Sequence, residues 1–416
     1  MKLDQYIQVF SSRTMPVLLF LGFSSGLPLV LTAGTLQAWM TVSGIDIRTI
    51  GIFALVGLPY TVKFLWSPLM DRFIPPFAGR RRGWIIFTQI CLIIGIGALA
   101  VNNPQDSLWL IGLIALMVTF TSASQDIVAD AYRTDILHEK ERGLGAGVFV
   151  TGYRIAMLIG GALALILSDH IGWESTYLIM AGLMFVGIGA ALFGKEPAET
   201  SPPKNLEEAV WGPLKDFFSR PRAYILLLLI VLYKLCDAYA STMTTPFLIR
   251  GVGFTPTDVG TINKGFGFVS TIIGALAGGT LMVRLGLFNS LLLFGILQAV
   301  SNLSFVLFAW AGKSYGILVF TVAFENITGG MGTSAFVALL MALCNHRYSA
   351  TQYALLSSLS ALGRTFISPT SGYMVEAAGW TVFFFASALF ALPGLWLLWR
   401  FRDEVSELSS NSNLKV

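Results

Sequence analysis

The sequence predicts an all-α integral membrane protein with twelve transmembrane helices in two six-helix bundles. Three observations carry that prediction. The chain is 55% hydrophobic and only 12% charged, with a mean hydropathy of +0.72, a balance that no soluble domain of 416 residues would carry on its surface. Apolar runs of about 18 residues or more, the length needed to cross hydrocarbon, recur twelve times. The two halves of the chain also echo each other at an offset of roughly 210 residues, the mark of a duplicated unit.

Taken in order, residues 1–14 carry Tyr6, Val9 and Phe10 among polar neighbours and read as a short interfacial segment. The first bundle, 15–193, holds runs at 15–38, 49–66, 84–101, 108–132, 143–167 and 173–193, which are numbered here as spans one to six. The first run lacks a small-residue cleavage site and reads as a retained span. Residues 194–222 include PAETSPPKNLEEAVWGPLKDFFSRPR, whose prolines and mixed charge predict an exposed cytoplasmic linker. The second bundle, 223–401, holds spans seven to twelve at 223–247, 257–281, 288–311, 315–342, 351–373 and 380–401. A polar tail, 402–416, follows.

The internal echo is made of small matches in constant order. Ile50-Gly51 answers Val259-Gly260, Met70-Asp71-Arg72 answers Met282-Val283-Arg284, Arg142 answers Arg347, Arg154 answers Arg364, and Gly172-Trp173 answers Gly379-Trp380. A duplicated six-helix unit is the plan of a transporter whose two halves rock about a central site. Most of the 27 basic residues fall in the termini and in the loops after even-numbered spans; the opposite loops carry only Arg48, Arg250 and Lys313. Both termini are therefore expected in the cytoplasm.

Composition also excludes several kinds of chemistry. Cys91, Cys236 and Cys344 have no paired spacing, and His138, His170 and His346 sit in predicted loops without an HExxH pattern, so neither a metal nor another cofactor is expected. Nor does the sequence point to a nucleic acid. In span four, Thr119, Ser122, Asp126, Asp130 and Arg133 fall on one stripe at about 100° per residue. A carboxylate at that depth costs about 2.5–3.5 kcal/mol on insertion scales, so the stripe is expected to face protein or water and to mark a pathway.

Five cations lie inside the spans, Lys63, Arg154, Lys234, Lys264 and Arg364, against four anions, Asp126, Asp130, Asp237 and Glu325. Arg154, Lys234, Glu325 and Arg364 each lie near mid-membrane at 1.5 Å per residue, where rocking transporters hold substrate. A slightly basic cavity suits an anionic ligand, and Arg suits a carboxylate through its planar fork. Lys234 and Asp237 at i, i+3 predict an ion pair. The expected substrate contacts are Arg154, Lys234, Lys264 and Arg364, with Gln37, Trp39, Gln125, Tyr153 and Asn326 as further candidates. Asp126 is the leading candidate for proton coupling and Glu325 the second, with Asp130 and Asp237 beside them. Gly22, Gly26 and Pro28 in span one predict a flexible or tightly packed gate helix, and Gly329, Gly330 and Gly332 in span ten predict close helix approach.

The loop SPLMDRFIPPFAGRRRGW resembles the signature loop of the major facilitator superfamily, with Ser67 where a Gly is usual and FIPPFA intervening. The run DILHEKERGLGAG is similar to that superfamily's connection between helices four and five. Asp71, Arg72, Arg80, Asp135 and Arg142 are on this resemblance gate or structural charges. The segments LGFSSGLPLVLTAGTLQAWM, FLWSPLMDR, GRRRGW, SASQDIVADAYRTD and LYKLCDAYASTMTTPFLIRGVGF resemble the AmpG-type anhydromuropeptide permeases of Gram-negative inner membranes, along nearly the whole chain. Some members of that family carry further hydrophobic segments where this chain has RFRDEVSELSSNSNLKV. The resemblance implies the major facilitator fold and import of GlcNAc-anhydromuramyl peptides from periplasm to cytoplasm. It implies proton drive, entry of the product into cell-wall recycling, and the signal that induces β-lactamase. The expected partners are the anhydromuropeptide, protons and the lipid bilayer, with the chain a monomer.

Two other readings compete. One is a superfamily member that exports a drug or carries another anionic metabolite; no proline occurs from Arg142 to Leu167, and so the Gly-Pro pattern of drug–proton antiporters in span five is missing. The other is a membrane-embedded enzyme acting on lipid-linked sugars, disfavoured by short loops and by carboxylates spread singly over different helices.

Overall fold

A computed structural model describes residues 13–67, 70, 73–137, 142–197, 218–219, 222–343 and 349–406. Every regular element among the described residues is helical. Residues 1–12 of the expected interfacial segment 1–14, Asp71, Arg72, His138, His346 and most of the linker and tail lie outside them, as does the side chain of Arg142. The chain divides into two compact units, one made of Met1–Ile45 with Val56–Lys204 and the other of Asp46–Leu55 with Asn205–Val416.

Among the described residues, eight helices are long and apolar enough to cross a membrane. Two of these hold a pair of expected spans each. Spans eight and nine run together through Gly286, and spans eleven and twelve through Gly379, where φ/ψ of 75°/170° and 78°/172° break the helical path. That conformation is open only to glycine at little cost, so each glycine turns the chain between two spans. Span ten is the 28-residue helix Tyr315–Ala342, whose polar middle at Glu325 and Asn326 lowers its hydropathy. Span two is broken into Ile47–Ile52, the 3-10 turn Phe53–Gly57, Leu58–Val62 and a second 3-10 turn at Lys63–Leu65. Gly57 loosens the backbone, and Pro59 removes a donor and crowds the preceding turn. A broken helix at membrane depth is tolerated where it is buried in protein or borders water. His170, expected in a loop, lies in the last turn of the helix Ala164–Ile171 and sets Nδ1 2.8 Å from the Ile166 carbonyl; the helix runs past the expected end of span five at Leu167, where that ring can satisfy an end carbonyl.

In the first unit, spans one and five meet through glycine. A Cβ on Gly22 would come within 2.0 Å of the Phe149 carbonyl oxygen, and one on Gly152 within 1.9 Å of that of Leu19. Both helices carry a π-helical turn at the contact, Leu31–Thr35 and Ile159–Leu163. Thr35 Oγ1 donates across it to the Gly160 carbonyl at 2.6 Å. Lipid offers no hydrophobic drive to pair two helices, so close backbone approach and such bonds do the work. Gly152→Val is expected to destabilise the purified protein by about 1–3 kcal/mol through overpacking, read as a lowered midpoint of thermal unfolding in detergent; an unchanged midpoint would contradict the packing described.

The second unit repeats the device between spans eight and ten, where a Cβ on Gly274 would lie 2.1 Å from the Ile327 carbonyl oxygen and one on Gly330 2.3 Å from that of Thr271. Its segment Asp46–Leu55 packs on span eleven, with Gly51 against the Gly372 backbone. There Arg48 pairs with Glu376 and lies 5.5 Å from the Tyr373 ring centroid. A cluster of Phe247, Phe305, Phe308 and Phe384 fills the interior near one end. Large apolar side chains such as Trp109, Phe193 and Val283 are almost fully exposed, the arrangement of a protein solvated by lipid rather than water.

Candidate functional site

In the first unit the polar stripe of span four lies on the unbroken helix Leu108–Ile136. Thr119, Ser122 and Gln125 are buried. Asp126 is part-buried and faces Lys63 of the broken span two, Nζ to Oδ2 at 3.7 Å. The break in span two is what delivers this lysine: its 3-10 turn begins at Lys63 itself. Sequence reading counted Lys63 among the in-span cations without assigning it a partner, because only the fold brings spans two and four together. Around this pair lie three buried hydroxyls, Ser25 against the Asp126 carboxylate and Tyr60 against Ser122.

One turn further, Asp130 Oδ1 lies 3.1 Å from Arg133, and the Arg133 guanidinium sits 4.8 Å from the Phe149 ring centroid. Asp135 pairs with Arg81 at 2.9 Å, both nearly buried. The Glu196 carboxylate accepts the backbone N–H of Arg81 at 2.7 Å and of Arg82 at 3.0 Å. A carboxylate on the first turn of Arg80–Ala100 satisfies open donors and the helix dipole together. Arg80 opens that helix. These charges tie helix ends together.

Several residues expected at the substrate are placed in packing. Gln125 is almost fully buried; its Oε1 accepts from Gln89 Nε2 at 2.8 Å and Thr88 Oγ1 at 3.3 Å, and its Nε2 donates to the Ser24 carbonyl at 3.2 Å. Gln89 in turn packs against Gly187, a buried amide knot joining four spans. Trp39 stacks on Trp173 at 5.7 Å and touches Tyr177 at 5.0 Å, with only 5% of its surface exposed. Gln37 and Tyr153 are part-buried, and Arg154 is exposed about midway along span five.

In the second unit Lys234 is held by three groups: Asp237 Oδ2 at 3.6 Å, Thr333 Oγ1 at 3.0 Å, and the Phe336 ring with its centroid at 5.8 Å. Phe336 also stacks on Tyr233, whose hydroxyl donates to the Leu291 carbonyl at 3.0 Å. Lys264 lies on the π-helical stretch Val259–Phe266 that opens span eight. Asn326 accepts from Thr271 Oγ1 at 3.0 Å and donates to the Val322 carbonyl at 2.9 Å, fixing span ten to span eight. The adjacent Glu325 is part-buried, with Asp237 and Lys264 as the charges that bear on it, and no ion pair joins it to a cation among the described residues. Arg364 is exposed midway along span eleven.

Of the five in-span cations, Lys63 and Lys234 have carboxylate partners; Arg154 and Arg364 make no ion pair among the described residues. Both arginines are exposed at mid-span, one in each unit. No group of His, Cys, Asp and Glu suited to a metal occurs among the described residues.

The model of the Major Facilitator Superfamily matches residues 18–368. The chain is 54% identical over 412 residues to the anhydromuropeptide permease of Escherichia coli K12, covering 99% of this chain and 84% of that protein. Among solved structures, a peptide transporter POT in complex with sulfate superposes with a TM-score of 0.74 at 14% identity, covering 95% of this chain and 96% of the other. A bacterial homologue of the human lysosomal transporter Spinster, in an inward-facing conformation, gives 0.71 at 16% identity, covering 99% and 98%. At such identities these two likenesses speak for the fold alone.

Proposed function

Because this chain belongs to the Major Facilitator Superfamily, we propose that it imports anhydromuropeptides, sugar–peptides of the kind its E. coli relative is named for, with protons as the coupling ion. It is a multi-pass membrane transporter and not an enzyme. The finer reading is a GlcNAc-anhydromuramyl peptide carried from periplasm to cytoplasm across a Gram-negative inner membrane. The product then enters peptidoglycan recycling and the induction of β-lactamase. The transporter is a monomer of two six-helix bundles, 15–193 and 223–401, joined by the linker 194–222, with both termini cytoplasmic.

The observation that carries this reading is the pair Arg154 and Arg364. A guanidinium at mid-span is costly in hydrocarbon, and an exposed one without a counter-ion is stable only where water or an anionic ligand reaches it. Muropeptides carry lactyl or peptide carboxylates, and an Arg fork binds a carboxylate through two parallel hydrogen bonds. Lys234, Lys264 and Asn326 supply further donors in the second unit, and Gln37 and Tyr153 in the first. For coupling, Asp126 beside Lys63 is the first candidate and Glu325 the second; Asp130 and Asp237 serve as neighbours that shift the local field.

The test is uptake of labelled anhydromuropeptide into proteoliposomes under an imposed pH gradient, acidic outside. Accumulation above the outside concentration, lost when a protonophore collapses the gradient, is the expected result. Equilibration without accumulation would remove the proton from the proposal, and failure to carry the labelled compound at all would remove the substrate.

A further inference from the structure

The connection between spans nine and ten is short: the first helix ends at Ala311 and the next begins at Tyr315. Between these two helices, near that connection, lies a crevice of about 430 Å³ lined mainly by Ser304, Leu307, Trp310, Ile317, Phe320 and Thr321. Its rim faces outward, since Leu307 is 60%, Trp310 71% and Phe320 60% exposed. The floor is different. Thr321 is fully buried, and its hydroxyl has no hydrogen-bond partner among the described residues.

A helical Thr with no outside partner normally donates to the carbonyl four residues back. Thr280, Thr328 and Thr333 all do so here, at 2.8, 2.8 and 2.7 Å. Thr321 does not, which leaves a polar atom on the floor of an otherwise apolar crevice. Such an atom is costly unless something accepts its proton. The connection itself carries Lys313, exposed, with one ammonium proton on the Gly253 carbonyl at 2.7 Å and the Phe254 ring centroid at 5.2 Å. An ammonium has three donors, so two remain for another ligand.

Depth identifies the occupant. Trp310 and Tyr315, both largely exposed, flank the connection as interfacial aromatics do. Thr321 lies six residues past Tyr315, about 9 Å below it at 1.5 Å per residue, within reach of a lipid's ester carbonyls when its phosphate lies at the level of Lys313. A single acyl chain is narrow and apolar like the rim. The surface is continuous with the apolar belt that faces the bilayer. We infer that this crevice is a binding site for one anionic glycerophospholipid, with an acyl chain between Leu307, Trp310 and Phe320, an ester carbonyl accepting from Thr321 Oγ1, and the phosphate against Lys313.

The experiment is native mass spectrometry of the full chain in detergent, titrated with phosphatidylglycerol or with phosphatidylcholine. The wild-type monomer is expected to retain one phosphatidylglycerol and to prefer it over phosphatidylcholine. Loss of one net hydrogen bond predicts binding weakened about threefold or more in Thr321→Val, a near-isosteric change. Lys313→Gln is expected to remove the preference for the anionic lipid, and Leu307→Trp, which fills the crevice from its exposed rim, to remove the adduct. Wild-type binding and preference in both Thr321→Val and Lys313→Gln would overturn the assignment. A dimer in place of the lipid adduct, abolished by Leu307→Trp, would overturn it too and make the surface a protein interface.

Discussion

Arg154→Ala and Arg364→Ala are each expected to cut uptake of labelled anhydromuropeptide about tenfold to a hundredfold at subsaturating concentration, with folding and membrane insertion intact. Both side chains are exposed at mid-span without an ion-pair partner among the described residues, so removing either leaves no orphaned carboxylate behind in the protein. The loss then falls on the ligand. A hydrogen bond to a charged group contributes about 1.5–3 kcal/mol, which is the stated range in affinity. Substitution by Lys separates charge from shape: it keeps the cation but not the bidentate fork, so partial recovery in Arg154→Lys and Arg364→Lys is the signature of carboxylate recognition. Full recovery would reduce the role to charge alone. If both Ala variants import at the wild-type rate while expressing normally, these arginines are not substrate contacts.

The sequence made the helical membrane fold legible because the period and length of apolar runs depend on local composition. It also made legible where the chain turns, since Gly286 and Gly379 lie in the gaps between expected spans. What it could not disclose was which polar residues are spent on one another. Gln125 and Trp39 look like ligand groups in a list of polar and aromatic residues, but each is nearly buried and occupied, one by Gln89, Thr88 and Ser24, the other by Trp173 and Tyr177. These contacts join residues scores of positions apart in the chain. The same holds for Lys63: its charge is plain in the sequence, but its place beside Asp126 depends on a break in span two and on the packing of span two against span four. The i, i+3 pair Lys234–Asp237 is local, and spacing alone was enough to foresee it.

That pairing of Lys63 with Asp126 sharpens the second large prediction. A coupling carboxylate must exchange partners during the cycle, because its proton affinity rises in a dehydrated setting and falls beside a cation or water. Asp126 has the means for both. Lys63 lies 3.7 Å away, Asp130 follows one turn along the helix, and the hydroxyls of Ser25, against the carboxylate, and of Tyr60 and Ser122, against each other, offer positions for a proton to be handed on. Neither carboxylate oxygen nor lysine is fully shut off, at 18% and 30% side-chain exposure. Asp126→Asn fixes the neutral form in nearly the same shape. It is expected to preserve exchange of labelled for unlabelled substrate across the membrane, since that requires no net proton movement, while abolishing accumulation driven by a pH gradient. Lys63→Met is expected to act differently: with the cation gone the carboxylate loses what favours proton release, so accumulation slows without the clean loss seen for Asn. Counterflow and gradient-driven uptake measured in the same proteoliposomes distinguish these cases. Full gradient-driven accumulation by Asp126→Asn would exclude it as the carrier and transfer the role to Glu325, which has no ion-pair partner among the described residues and would then give the same split phenotype as Gln.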